Sequence, residues 1–425
     1  MFLRDFKILG GSVLDNKGEL DNACAVGLNE RQCMLVTCWA AAFLLGCVTA
    51  PIGVTVQGLI VKHHLTHTLA GLIPFMMGAG RLITAAGSGW MSDLHGRRPV
   101  FAVGCVVSGA GAVVYALSSW WWISLASMLA IGLGVGLLDV SANAMAADLS
   151  VRNRQLGISR LQAFFGVGSI AAPIATAVCV SAGLGWEPVY LAAGIAFLAL
   201  LSSIHPPLVP IQLVRRLPPS GASSSAARSD PGRIKNILGS RVFAVLVVVS
   251  FVYGGLSRTV LAWTNTYITD TMETSPLASM YPVILYNIGL AIGRFSSGSI
   301  VKWPYEVVFV VGSTGSAISI IASVVSNGFA LTAASLALAG LSHSVLFPTA
   351  VAWGSELLPH NVGTSTGILS MAVAAGSMTI PWLTGAISDY AGLRFGILIV
   401  AIVGGASMAI PAVWISTAER ASKRS

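Results

Sequence analysis

Of 425 residues only 9% are charged, so each charge set in an apolar run is a candidate for chemistry. Asp139 lies in MLAIGLGVGLLDVSANAM and is the only acid well inside such a run. A carboxylate there must be hydrated, paired or protonated. Two readings stay open, a proton carrier and a fixed ion pair. Asn143 follows four residues later, on the same helical face. Gln162 is a third polar candidate, and amides supply the donors and acceptors that hydroxylated ligands need; interhelical hydrogen bonding is the alternative. Arg81 and Arg258 also sit in apolar runs. A cavity lined by them would attract a carboxylate or phosphate. His343 can shuttle a proton or fill a helix contact. Gln57, Asn265, Asn287 and Trp382, with Tyr286 beside them, complete the candidates for lining a binding cavity.

A second cluster lies at residues 87–99, GSGWMSDLHGRRP. Gly89, Asp93, Gly96, Arg97 and Arg98 fall between two apolar runs, where Gly96 eases a tight turn and Asp93 can pair with Arg97 or a helix end. Charges so placed can close one end of a helix bundle in one state and release it in another. No set of cysteines or histidines has metal-ligand spacing, and no metal or other cofactor is expected. His63, His64 and His67 read as exposed loop residues. The six cysteines read as buried free thiols.

What must position these groups is a membrane-embedded helix bundle. Hydrophobic residues make up 55% of the chain and mean hydropathy is +0.80, against roughly 25% charged residues in soluble domains. Twelve apolar segments, at about 33–60, 69–91, 99–118, 121–147, 157–182, 188–203, 242–268, 279–301, 305–325, 329–353, 364–388 and 394–415, are each long enough, or nearly so, to cross a bilayer. The expected class is an all-α membrane protein of twelve helices in two six-helix halves. Residues 1–32 form a tail, 33–203 the first half, 204–240 a Pro-, Ser- and Gly-rich linker, 241–415 the second half and 416–425 a second tail. The pairs Gly132/Gly136 and Gly289/Gly293 are expected to let helices approach closely. The net charge of +8 lies mostly in short loops and tails. With both ends in the cytoplasm, only Lys62 and Arg394 face outward, so the basic residues set orientation rather than bind nucleic acid.

The loop at residues 87–99 resembles the signature that major facilitator superfamily transporters carry between their second and third helices. Four stretches resemble the fucose and glucose symporter branch: GLLDVSANAM with Asp139 and Asn143, LQAFFGVG with Gln162, LFPTAVAW with Phe347 and Pro348, and Tyr253 through Trp263. The resemblance implies that Asp139 carries a coupling proton, that Asn143 and Gln162 face the same cavity, and that the transport unit is the lipid-embedded monomer. The chain departs from the branch in the first segment, GCVTAPIGVTVQG, which lacks an acid, and at Ser257, where many relatives are acidic. The expected function is alternating-access symport of a sugar or polyol, with a proton favoured over sodium as coupling ion, in the plasma membrane. A small organic anion is the alternative substrate, from the arginines; a receptor or partner protein of the same fold is the alternative role. No nucleophile–base constellation supports an enzyme.

Overall fold

The computed structural model describes residues 17–150, 154–203, 241–272, 274–275, 278–300, 303–326, 328–357 and 362–422. Side chains of residues 17–30, 410–422 and several positions near 90 lie outside that description. These include Gly89 and Asp93 of the loop cluster. The segment 204–240 does too.

The described chain is helical throughout. In order come α1 (Lys17–Thr49), α2 (Ile52–His63), α3 (His67–Ala70), α4 (Leu72–His95), α5 (Arg97–Leu117), α6 (Trp121–Leu149), α7 (Arg154–Ser181) and α8 (Glu187–Ala199). Beyond the 204–240 segment follow α9 (Arg241–Met272), α10 (Tyr281–Ile300), α11 (Tyr305–Val325), α12 (Phe329–Ser344), α13 (Leu346–Leu357), α14 (Val362–Ala391) and α15 (Leu393–Ser422). Among the described residues, nine stretches are long and apolar enough to span a membrane, and 187–202 and 393–409 are shorter apolar helices. The protein is an all-α, multi-spanning membrane protein. Its outer surface agrees: Leu117, Ile195, Ile318 and Val403 are each more than half exposed, as suits side chains meeting lipid.

Two expected single helices are broken, each at a proline. Pro51 has no N–H to bond the carbonyl of Cys47 and its ring crowds that turn, so α1 stops at Thr49 and α2 restarts at Ile52. Pro348 does the same to Ser344, separating α12 from α13. Both end helices outrun the apolar pattern. α1 begins at Lys17 and α15 continues to Ser422 through Ala418, Glu419, Arg420 and Ala421, all strong helix formers. Gly96 alone joins α4 to α5, with φ of 87°, a conformation that costs other residues far more.

Contacts fall into two groups. α4 packs on α6, α5 on α6 and α8, and α1 on α7; α9 packs on α14, α10 on α12, and α11 on α12 and α15. Small residues make this possible. A β-carbon at Gly132 would run into the Met77 carbonyl, and one at Gly289 into that of Ala337. Between the groups, α2 meets α9, α3 and α4 meet α14, and α7 meets α10. The polar residues of interest gather along that seam.

Candidate functional site

The seam has a charged wall and a neutral wall. On the charged wall, α4 and α6 bring Arg81 and Asp139 together, and the Arg81 Nη2 donates to Asp139 Oδ2 at 2.6 Å. Their side chains are 30% and 33% exposed, so the pair is neither sealed in the core nor free in solvent. It faces a space that water can enter. One turn along α6, Asn143 Nδ2 donates to the Asp139 carbonyl at 2.6 Å. Gln162 on α7 extends the row, its Nε2 lying 3.5 Å from Asn143 Oδ1. Asp139, Asn143 and Gln162, the three groups expected to share a cavity, therefore form one continuous polar strip with Arg81. The pairing explains how an acid is tolerated here: an isolated charge at mid-bilayer costs about 2.5–3.5 kcal/mol even on the mildest scales.

Arg258 reaches the same space from α9. Its Nη1 donates to the Thr49 carbonyl at 3.2 Å. That carbonyl is available because Pro51 ends α1 at Thr49. Arg258 and Arg81 line one small cavity with Pro74, Met77, Gly78 and Ser377. Among the described residues, no carboxylate lies within ion-pair distance of Arg258. Two guanidinium groups thus share one aspartate, and Arg81 holds it.

The neutral wall is built on α9, α10 and α12. The Tyr286 hydroxyl donates to Ser257 Oγ at 2.8 Å and lies 2.9 Å from His343 Nδ1. With the phenol proton directed to Ser257, Nδ1 carries the ring proton as donor. Nε2 of this fully buried histidine then has no partner. Tyr253 stacks on Phe347 at 6.0 Å and meets His343 edge-on. Ser257 is thus a hydroxyl in a neutral chain.

The other candidates lie elsewhere along the seam or inside one wall. Gln57 Nε2 donates to Asp270 Oδ1 at 3.4 Å, linking α2 to the far end of α9. Asn265 accepts from Ser279 Oγ at 2.7 Å and is buried. Asn287 donates to its own helix at Val283 and is also buried. Trp382 meets Phe75 edge-on across the seam, with ring centres 6.2 Å apart. Asn265 and Asn287 are therefore occupied by helix contacts in this state.

One cross-seam cluster was not expected from the sequence. Asp389 on α14 accepts from the backbone N–H of His67 at 2.6 Å and of Thr68 at 2.8 Å, and from the Thr68 hydroxyl. His67 Nδ1 adds a contact at 3.0 Å, and its ring lies 5.7 Å from Trp263. His67 is thus no bare loop residue. Its partner is 322 residues away, a separation no local pattern reveals. Nearby, Met378 sits against Gly78, where any β-carbon would collide. At the opposite end of the bundle, Arg97 pairs with Asp148 and donates to the Ala144 carbonyl at 2.9 Å. Arg98 is exposed. Arg97 thus ties the first turn of α5 to the last turns of α6.

Comparison with known proteins matches this architecture. The family model described as Major Facilitator Superfamily matches residues 38–307 and 302–425. A glucose/galactose transporter of Brucella abortus is 22% identical over 365 residues, covering 84% of this chain and 88% of its own length. Among solved structures, a bacterial homologue of the human lysosomal transporter Spinster, inward-facing and unoccupied, superposes with TM-score 0.75. It is 15% identical, covering 90% of this chain and 97% of that one. A D-xylose–proton symporter reaches TM-score 0.72 at 17% identity, covering 90% and 96%. A nucleoside transporter reaches 0.74 at 12%, covering 92% and 98%. By the extent of the family match, the chain belongs to the Major Facilitator Superfamily.

Proposed function

We propose that this protein is a secondary active transporter, not an enzyme, that moves a small hydroxylated, sugar-like solute together with a proton by alternating access. The observation that carries this reading is the strip Arg81–Asp139–Asn143–Gln162. It supplies one titratable carboxylate whose partner can be exchanged, beside amides suited to hydroxyl groups. The names of the Brucella relatives, glucose/galactose transporters, and of the structurally similar D-xylose–proton symporter support the same class.

In this reading α1–α8 and α9–α15 form the two six-helix halves, and both chain ends face the cytoplasm, where the basic loops lie. Asp93 joins Arg97 and Arg98 in the cytoplasmic gate, with Gly89 in the helix leading to it and Gly96 shaping the turn. The Asp389 cluster and the Gln57–Asp270 contact then lie at the outer end, so the state described here is closed to the outside. Asp139 in its ionised form is held by Arg81. Taking up a proton cancels that attraction, frees Arg81 to turn toward the solute and alters the contacts across the seam. Opening and closing then follow the load, because solute and proton bind the two states unequally.

Uptake into sealed proteoliposomes under an imposed inward proton gradient tests this. The panel contains hexoses, pentoses, polyols and their acids. Accumulation of any hydroxylated solute above its outside concentration, collapsed by a protonophore, is expected. Saturable binding without flux across the whole panel would instead mark a receptor.

A further inference from the structure

We infer that the solute is itself an anion: a polyhydroxylated monocarboxylate, such as a hexuronate or hexonate, whose carboxylate docks on Arg258. This rests on the symport reading above and names the substrate class of that site. Three observations carry it. Arg258 and Arg81 line the same cavity. Asp139 is bonded to Arg81 at 2.6 Å. Arg258, among the described residues, donates only to the Thr49 carbonyl, which leaves most of its five donors to be met from the cavity.

A neutral sugar leaves that guanidinium unmatched in the loaded carrier. A carboxylate satisfies it with two parallel N–H···O bonds, the geometry for which arginine is suited and lysine is not. The rest of the seam supplies what hydroxyls need. Asn143 and Gln162 lie on one side. On the other lies half-buried Ser257, held from behind by the buried Tyr286 and His343.

The charge balance then fixes the energetics of the cycle. Arg81 and Arg258 line the cavity, which must widen from its water-sized closed form to admit a solute, and ionised Asp139 is bonded to Arg81, so the three groups together carry a net of one positive charge. One proton from the acidic side bonds to Asp139 and one carboxylate enters, so the loaded cavity has the same net charge. Of the described charged groups on helices packed against α6, namely Arg31 on α1, Arg81 on α4, Arg97 and Arg98 on α5 and Arg160 on α7, only Arg81 is bonded to Asp139. Uptake of the monoanion with one proton is therefore electroneutral. A neutral hexose carried with one proton would move one charge per cycle. A phosphate monoester, with a charge of about −1.5 to −2 at pH 7, would not balance either.

The test uses the full chain in proteoliposomes. Glucuronate, glucose and glucose 6-phosphate are offered under an inward proton gradient, with and without an inside-negative potassium–valinomycin potential. Glucuronate uptake at least ten times that of glucose, unchanged by the potential, is expected. Glucose uptake driven by the potential, with glucuronate inert, overturns the carboxylate inference and leaves proton symport standing. Preference for glucose 6-phosphate also overturns it. No proton-driven uptake of any panel member overturns both. A second readout needs no flux. Glucuronate should raise the melting temperature of purified wild type but not of Arg258→Gln, with Arg258→Lys recovering only part of the shift. Arg258→Gln folding normally and binding glucuronate as wild type does would contradict the assignment.

Discussion

The two walls of the seam solve one problem in opposite ways. The wall on α4, α6 and α7 holds a half-buried charge by pairing it: Asp139 with Arg81, and the amides of Asn143 and Gln162 behind them. The wall on α9, α10 and α12 has hydroxyls and an imidazole in a neutral chain, Ser257–Tyr286–His343. A paired charge is responsive, because one proton abolishes it and releases its partner. A neutral chain has no such lever and can only hold shape and hydrogen-bond direction. In the function proposed above, coupling falls to the charged wall and recognition to both. Substitutions on the two walls should fail differently.

The largest effect is expected from Arg81→Ala. It leaves Asp139 without its cation in a low-dielectric site. Breaking a fully buried pair costs about 3–5 kcal/mol, and partial exposure of both partners reduces that. Proton-driven uptake should fall at least about tenfold, equivalent to ~1.4 kcal/mol, and Arg81→Lys should restore part of it. Uptake within twofold of wild type in Arg81→Ala would show that the pair is only structural.

Next comes Asp389→Ala, which tests the closed end rather than either wall. The carboxylate receives two backbone N–H groups and a hydroxyl across the seam, and hydrogen bonds to charged groups contribute about 1.5–3 kcal/mol each. Losing them should shift the population toward the state open at that end. Spin labels on α3 and α14 report it as a longer distance, while solute affinity measured in the occluded state is unchanged. An unaltered distance distribution would remove Asp389 from the gate.

A smaller effect is expected on the neutral wall. Tyr286→Phe removes the hydroxyl that joins Ser257 to His343, at about 1 kcal/mol. KM should rise roughly fivefold with the dependence on the proton gradient unchanged. A change in proton stoichiometry would place coupling on this wall as well. The smallest effect is expected from Asn143→Ala. Its amide bonds chiefly to its own helix, so a two- to threefold rise in KM should suffice, on the order of 0.5 kcal/mol.

The charged wall was legible in the sequence and much of the rest was not, for a physical reason. Asp139 stands out because an acid inside an apolar run is costly and must be answered, and Asn143 follows from helical spacing. Arg81 was seen as a cation in a span, but its partnership with Asp139 depends on how α4 lies against α6. Ser257 read as a missing acid; only the packed structure makes it the end of a hydroxyl chain. The Asp389 cluster joins positions 321 and 322 apart, and the histidine in it looked like loop. The proline breaks at Pro51 and Pro348 were open to prediction from the missing N–H. The apolar runs masked them, because hydropathy continues across both. The Arg97–Asp148 pair was masked differently: Asp93, only four residues from Arg97 in sequence, was the more visible partner.

The most direct measurement compares two modes of transport in Asp139→Asn: accumulation against a gradient and exchange of labelled for unlabelled solute at equal concentrations. If the Arg81–Asp139 pair is where the proton acts, accumulation should collapse to an inside-to-outside ratio near equality while exchange persists. Accumulation at the wild-type level in Asp139→Asn, collapsed by a protonophore as before, would contradict that claim and move the coupling site away from the charged wall.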